Sequence, residues 1–184
     1  SSIDEEKLYK PKDSYRMRGA GGRKSLTAGT NLPNGVIIHY FLPNYNDESD
    51  EVNLSIHSSD GELIKEFSNK SKENSIKVKK GGNSFVWDMK YPGAKRLDNM
   101  VLWGADFSGA KTVPGDYIVK LSVNESELTQ DFTIHKDPTS EGSIEDIKAQ
   151  FEFVNEINGV VNEAHNAIEN IRKIKKDLSK FQSD

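Results

Sequence analysis

The stretch WGADFSGAKTVPGDYIVKL, Trp103 to Leu121, can be read as an acidic active-site loop or as the turn chemistry of a β-sheet. The turn reading accounts for each residue. Asp106 can fold its carboxylate back onto nearby backbone N–H groups, and Pro114 presets φ for a tight turn while Gly115 can accept positive φ. Tyr117, Val119, Leu121 and Val123 then alternate onto one face, the period of a half-buried strand. No chemistry is required of either aspartate, so the stretch places the chain in the β class.

The same pattern extends upstream and downstream. EVNLSIHS puts Val52, Leu54 and Ile56 on one face, and Asp60-Gly61 leads it into ELIKEF as a hairpin. GVIIHYFL, SIKVK, NSFVWDM, GDYIVKLSV and ELTQDFTIH supply the remaining strands. Seven short strands separated by turn signals predict an antiparallel, immunoglobulin-like β-sandwich over residues 33–138. Residues 1–32 are polar and glycine-rich, and read as an extended lead-in that docks on this domain. The GAGG at Gly19–Gly22 lacks the preceding strand that a phosphate-binding loop needs.

From Ser143 the period changes. Apolar or small residues recur in steps of three or four from Ile144 to Phe181, and Ile157, Val161, Ile168, Ile171 and Leu178 stand on this stripe as candidate interface residues. A long amphipathic helix over residues 143–181 is expected, with Ser143 as N-cap and lysines toward its far end. Asn158-Gly159 could turn a helical hairpin, but the stripe keeps its phase across it, which favours one rod. Such a rod is roughly 57 Å long, whereas a sandwich of about 130 residues spans only ~35–40 Å. One end then overhangs and its stripe needs another surface: a second helix, a second copy or a neighbouring domain.

Composition narrows the function classes. The 184 residues are 34% apolar and 29% charged, with net charge −4 and no cysteine. The acidic balance argues against a general nucleic-acid binder, and the lack of cysteine excludes disulfides and thiol chemistry. No run of 18 apolar residues is present, so no membrane span is expected. No metal or cofactor signature is found. The histidines are scattered, and NYNDESDE (Asn44–Glu51) lacks the spacing of a calcium loop, reading instead as a solvated acidic loop.

Two resemblances emerge from these segments. NSFVWDM followed by DFSGAKTVPGDYIVKL resembles the immunoglobulin-like domain of flagellar hook-capping proteins, as does the Asp-Gly hairpin SIHSSDGELIKEF. Over about residues 11 to 180, the order of NLPNGVIIHYFL, FVWDMKYPGAKRLDNMVLWGAD, DFTIHKDP and the terminal helix resembles the C-terminal region of sortilin-like, BNR-repeat β-propeller proteins. These are large exported bacterial proteins often labelled glycosyl hydrolases. The resemblance implies a periplasmic, outer-membrane-surface or extracellular setting. It also implies partner propellers upstream, a second helix downstream, and catalysis lodged in the propellers rather than here.

The expected role is therefore a non-catalytic accessory or assembly module. The alternatives are a carbohydrate-binding module or a fragment of a glycoside hydrolase. For these, Tyr91, Arg96 and Trp103 in the unusually long YPGAKRLDNMVLWGAD segment are the binding candidates. Asp88, Asp98, Asp106 and Asp116 are the carboxylates to test. Trp87 shares the parity of Phe85 and Met89 and is expected in the core, and the long segment itself is expected to pack over the sandwich edge or against absent propellers.

Overall fold

The computed structural model describes residues 4–17, 33–101, 104 and 106–181. The described residues form mostly strands in two sheets, followed by one long C-terminal helix. The chain divides into two compact units: Ser1–Met89 with Thr112–Ile144, and Lys90–Lys111 with Glu145–Asp184.

The first unit holds β1 (Lys7–Leu8), β2 (Ser14–Arg16), β3 (Val36–Leu42), β4 (Val52–Ser58), β5 (Leu63–Ser68), β6 (Gly81–Trp87), β7 (Gly115–Val123) and β8 (Ser126–Lys136). One sheet has the order β1-β3-β6 and the other β2-β8-β7-β4-β5. The alternation read in β7 is realised: Tyr117, Val119, Leu121 and Val123 are all buried. So is the hairpin at Asp60-Gly61, where Gly61 sits at φ 88° and β4 pairs antiparallel with β5. Pro114 and Gly115 lead into β7 as expected, although Gly115 does not take up positive φ.

Side chains from both sheets meet in one core. Trp87 of β6 is fully buried and lies edge-on to Tyr117 of β7 and Phe132 of β8, with centroids 6.0 and 6.3 Å away. Phe85 touches Phe67 of β5 at 4.6 Å, although Phe85 is only half-buried. Met89 is fully buried, and the Thr112 N–H donates to its carbonyl at 2.7 Å. That bond closes the neck from which residues 90–111 leave the unit.

Two strand expectations are corrected. SIKVK forms no strand; Ser75 makes one isolated bridge to Ser68, and Ile76 is buried without a ladder partner. Alternation reports which side chains are buried, and burial does not require a neighbouring strand. The lead-in contributes two short strands, and β2 runs parallel to β8, so pairing is not antiparallel throughout. The GAGG lies outside the described residues.

The helix, α1 (Ile144–Phe181), is a single rod of 38 residues with no break at Asn158-Gly159. A Cβ built on Gly159 meets nothing within 4 Å. Gly159→Ala is therefore expected to stabilise the helix by about 1 kcal/mol, through the lower entropy of the unfolded chain. A raised midpoint in urea, with unchanged circular dichroism, is the check; a fall would show that the glycine makes room for a neighbour.

Candidate interaction surface

The second unit consists of the 90–111 segment and α1. The segment starts as a narrow ribbon. The Tyr91 N–H donates to the Ala110 carbonyl at 2.9 Å, and the Ala94 N–H to the Phe107 carbonyl at 3.1 Å. Its two sides approach so closely that a Cβ on Gly109 would fall 1.8 Å from the Tyr91 carbonyl oxygen. Asp106 does what a turn residue does. Its carboxylate accepts the Ser108 N–H at 2.8 Å and the Ser108 hydroxyl at 2.9 Å, and these bonds hold its pKa below the usual carboxylate value.

Within this unit the segment lies along the chain's own helix. The Tyr91 ring stands edge-on to Phe151 at 4.8 Å. The Lys95 N–H donates to the Asn162 side-chain oxygen at 2.7 Å, and the Lys95 ammonium pairs with Glu169 at 2.5 Å. His165, buried on the helix, donates from Nδ1 to the Lys95 carbonyl at 2.5 Å, which requires the tautomer protonated at that nitrogen. Phe107 packs on the same imidazole at 5.8 Å, and Arg172 donates to the Asp98 carbonyl at 3.2 Å. Ala94 and Leu97 are the buried apolar contributions of the segment.

Helix positions 151, 162, 165, 169 and 172 thus form an occupied side of mixed character, along which Ile147 is buried and Phe151, Val154 and Val161 are half-buried. A second, apolar side is exposed. Phe153, Ile157, Val160, Ile171, Ile174 and Leu178 are each 45–63% exposed, and Ile168 is 38% exposed. Of the stripe residues singled out from the sequence, Ile157, Ile168, Ile171 and Leu178 remain exposed, while Val161 is half-buried. An apolar face this long is what an unpartnered interface looks like.

The other candidates separate. Tyr91 spends its ring on Phe151, Arg96 is exposed, and Trp103 lies outside the described residues. The four carboxylates do not share a unit: Asp98 and Asp106 belong to the second, Asp88 and Asp116 to the first. Asp116 accepts the Thr133 hydroxyl at 2.7 Å. The acidic loop is tied by its own donors. Asp50 accepts the Asn46 N–H at 2.8 Å and the Asn124 amide at 3.1 Å, which lowers its pKa. Among the described residues, no group of three or more acidic or histidine side chains is arranged to hold a metal ion.

An open groove beside β3 and β6 is lined by Tyr9, His39, Lys77, Lys79 and Asn83. The Asn83 amide there is committed to the turn before β6, bonding Lys79 and Gly81. His165 and Lys95 were missed as partners by sequence reasoning, because polar positions on a helix carry no periodic apolar signal. No helix among the described residues is long and apolar enough to cross a membrane. Comparison with family models, curated proteins and solved structures returned no match.

Proposed function

We propose that this chain is a non-catalytic accessory module, an immunoglobulin-like sandwich carrying a long helix for docking or assembly within a larger exported protein. The observation that carries this reading is an apolar face of α1 left exposed while residues 90–111 engage another side of the helix.

Several features favour the immunoglobulin-like assignment. The orders β1-β3-β6 and β2-β8-β7-β4-β5 correspond to A-B-E and A′-G-F-C-C′, with no strand between β5 and β6. Tyr117, near the start of β7, donates its hydroxyl proton to the Val113 carbonyl four residues upstream at 2.6 Å, the arrangement of a tyrosine corner. Thr112 also bonds that hydroxyl. The resemblance to sortilin-like propeller proteins supplies the exported setting and the idea of neighbouring domains. It rests on the sequence segments alone.

A glycoside-hydrolysis panel and a glycan array test the rival readings directly. Neither turnover nor retention is expected. Turnover lost in Asp106→Asn, or glycan binding lost in Tyr91→Ala, would replace the accessory role with a carbohydrate-active one.

A further inference from the structure

The exposed face of α1 has a stricter order than amphipathicity requires. Phe153, Ile157, Val160, Ala164, Ala167, Ile171, Ile174 and Leu178 follow one another in steps of 4, 3, 4, 3, 4, 3 and 4. That is an unbroken heptad seam, with Ile157, Ala164, Ile171 and Leu178 at one core position and the others at the second. Ala164 and Ala167 are exposed along with the larger residues. The described contacts of residues 90–111 fall on another side of the rod, at positions 151, 162, 165, 169 and 172.

We infer that a second copy of this chain covers the seam, with the two helices antiparallel. This deepens the docking role proposed above and rests on it. Charge selects both occupant and direction. Between Ile144 and His165 the helix carries five acidic residues and one lysine, net −4 with histidine neutral; from Asn166 to Phe181 it carries five basic and two acidic residues, net +3. A parallel copy would set like halves together. An antiparallel copy sets acidic against basic and opposes the two helix dipoles.

Side-chain size selects the register. Antiparallel pairing about the centre of the seam lays Phe153 on Leu178 of the second copy, Ile157 on Ile174, Val160 on Ile171, and Ala164 on Ala167. The small residues meet at the midpoint, where the rods approach most closely, and the large ones meet outside. Val161 and Ile168 flank the seam and widen it. The contact is isologous, as a closed two-fold dimer requires.

The area is sufficient. At 45–63% exposure, the six large seam residues present on the order of 700 Å² of side chain per copy, close to the ~800 Å² per partner of a stable interface. The last turns give a second reason for a cover. Every residue from 170 to 180 is exposed, and helical turns with little buried apolar surface are marginal in water.

Sedimentation of the intact chain, with and without seam changes, tests the inference. A dimer is expected, twice the 20.6 kDa chain mass. Ile171→Glu with Ile174→Glu should weaken it by roughly 100-fold or more, while the strand signal in circular dichroism stays unchanged, because both side chains are exposed in the single chain.

The absence of native cysteine makes orientation readable. Ile157→Cys and Ile174→Cys variants, mixed and oxidised, should form the mixed disulfide in preference to either homodimer. Homodimeric disulfides would overturn the antiparallel arrangement. A strict monomer at high concentration would overturn the second copy as occupant. It would leave the docking role standing on the glycan and turnover results, which do not depend on self-association.

Discussion

Replacing Gly109 with alanine is expected to prise the 90–111 segment off the helix while leaving the two-sheet unit folded. The new Cβ would lie 1.8 Å from the Tyr91 oxygen, 2.5 Å from its carbonyl carbon and 2.6 Å from the Pro92 oxygen. All three atoms are backbone, so no rotamer change relieves the clash. The ribbon must open, and its bonds from Tyr91 to Ala110 and from Ala94 to Phe107 go with it. Overpacking of this severity costs about 3 kcal/mol or more. Tyr91 and Lys95 then lose their places on Phe151, Asn162 and Glu169. Faster amide exchange at Tyr91, Ala94 and Lys95, with unchanged exchange in β7 and β8, is the signature. Gly82→Ala is the control, since a Cβ there meets nothing within 4 Å. Equal protection in Gly109→Ala and wild type would show that the ribbon is not closed as described.

The second large effect is expected at Trp87. Its side chain comes from the three-stranded sheet and lies among Tyr117 and Phe132 of the five-stranded one. Trp87→Ala removes the largest fully buried side chain and leaves a cavity that the facing rings cannot fill. The cost is about 3–5 kcal/mol, a large share of the ~5–15 kcal/mol that holds an ordinary domain together. A fall in Tm of roughly 10–20 °C follows for a unit of this size. Val86→Ala, one residue earlier and 37% exposed on the opposite face, should cost far less. Urea unfolding followed by circular dichroism measures both. A Trp87→Ala loss below about 1 kcal/mol would mean the sheets are not joined there.

The turn and strand chemistry was legible because its causes are local. Asp106 bonds a residue two positions away, Gly61 supplies its own positive φ, and the parity of β7 repeats every second residue. The continuity of α1 was legible for the same reason: its apolar phase persists across Gly159, and one glycine costs less than breaking a long helix. The short strands near the N-terminus were not. Ser14 pairs with Ile134, and three residues carry too little pattern to announce a partner that far along the chain. SIKVK failed in the opposite sense, showing a strand's alternation with no more than an isolated bridge from Ser75 to Ser68 at the end of β5.

Read from its residues alone, the chain is β-rich with its turns, has a core that includes Trp87, and ends in a continuous amphipathic helix. All of these follow from local backbone preference and hydrophobic period. Which side of that helix is spent emerges with the fold. Lys95, Asn162, His165 and Glu169 lie about 70 positions apart across the contact they make, and their polarity marks them in sequence as solvent-facing. Hydrogen bonds between such distant polar groups leave no periodic trace. The helix therefore gives one side, Phe151 together with these polar groups, to its own chain and keeps a second, apolar side open.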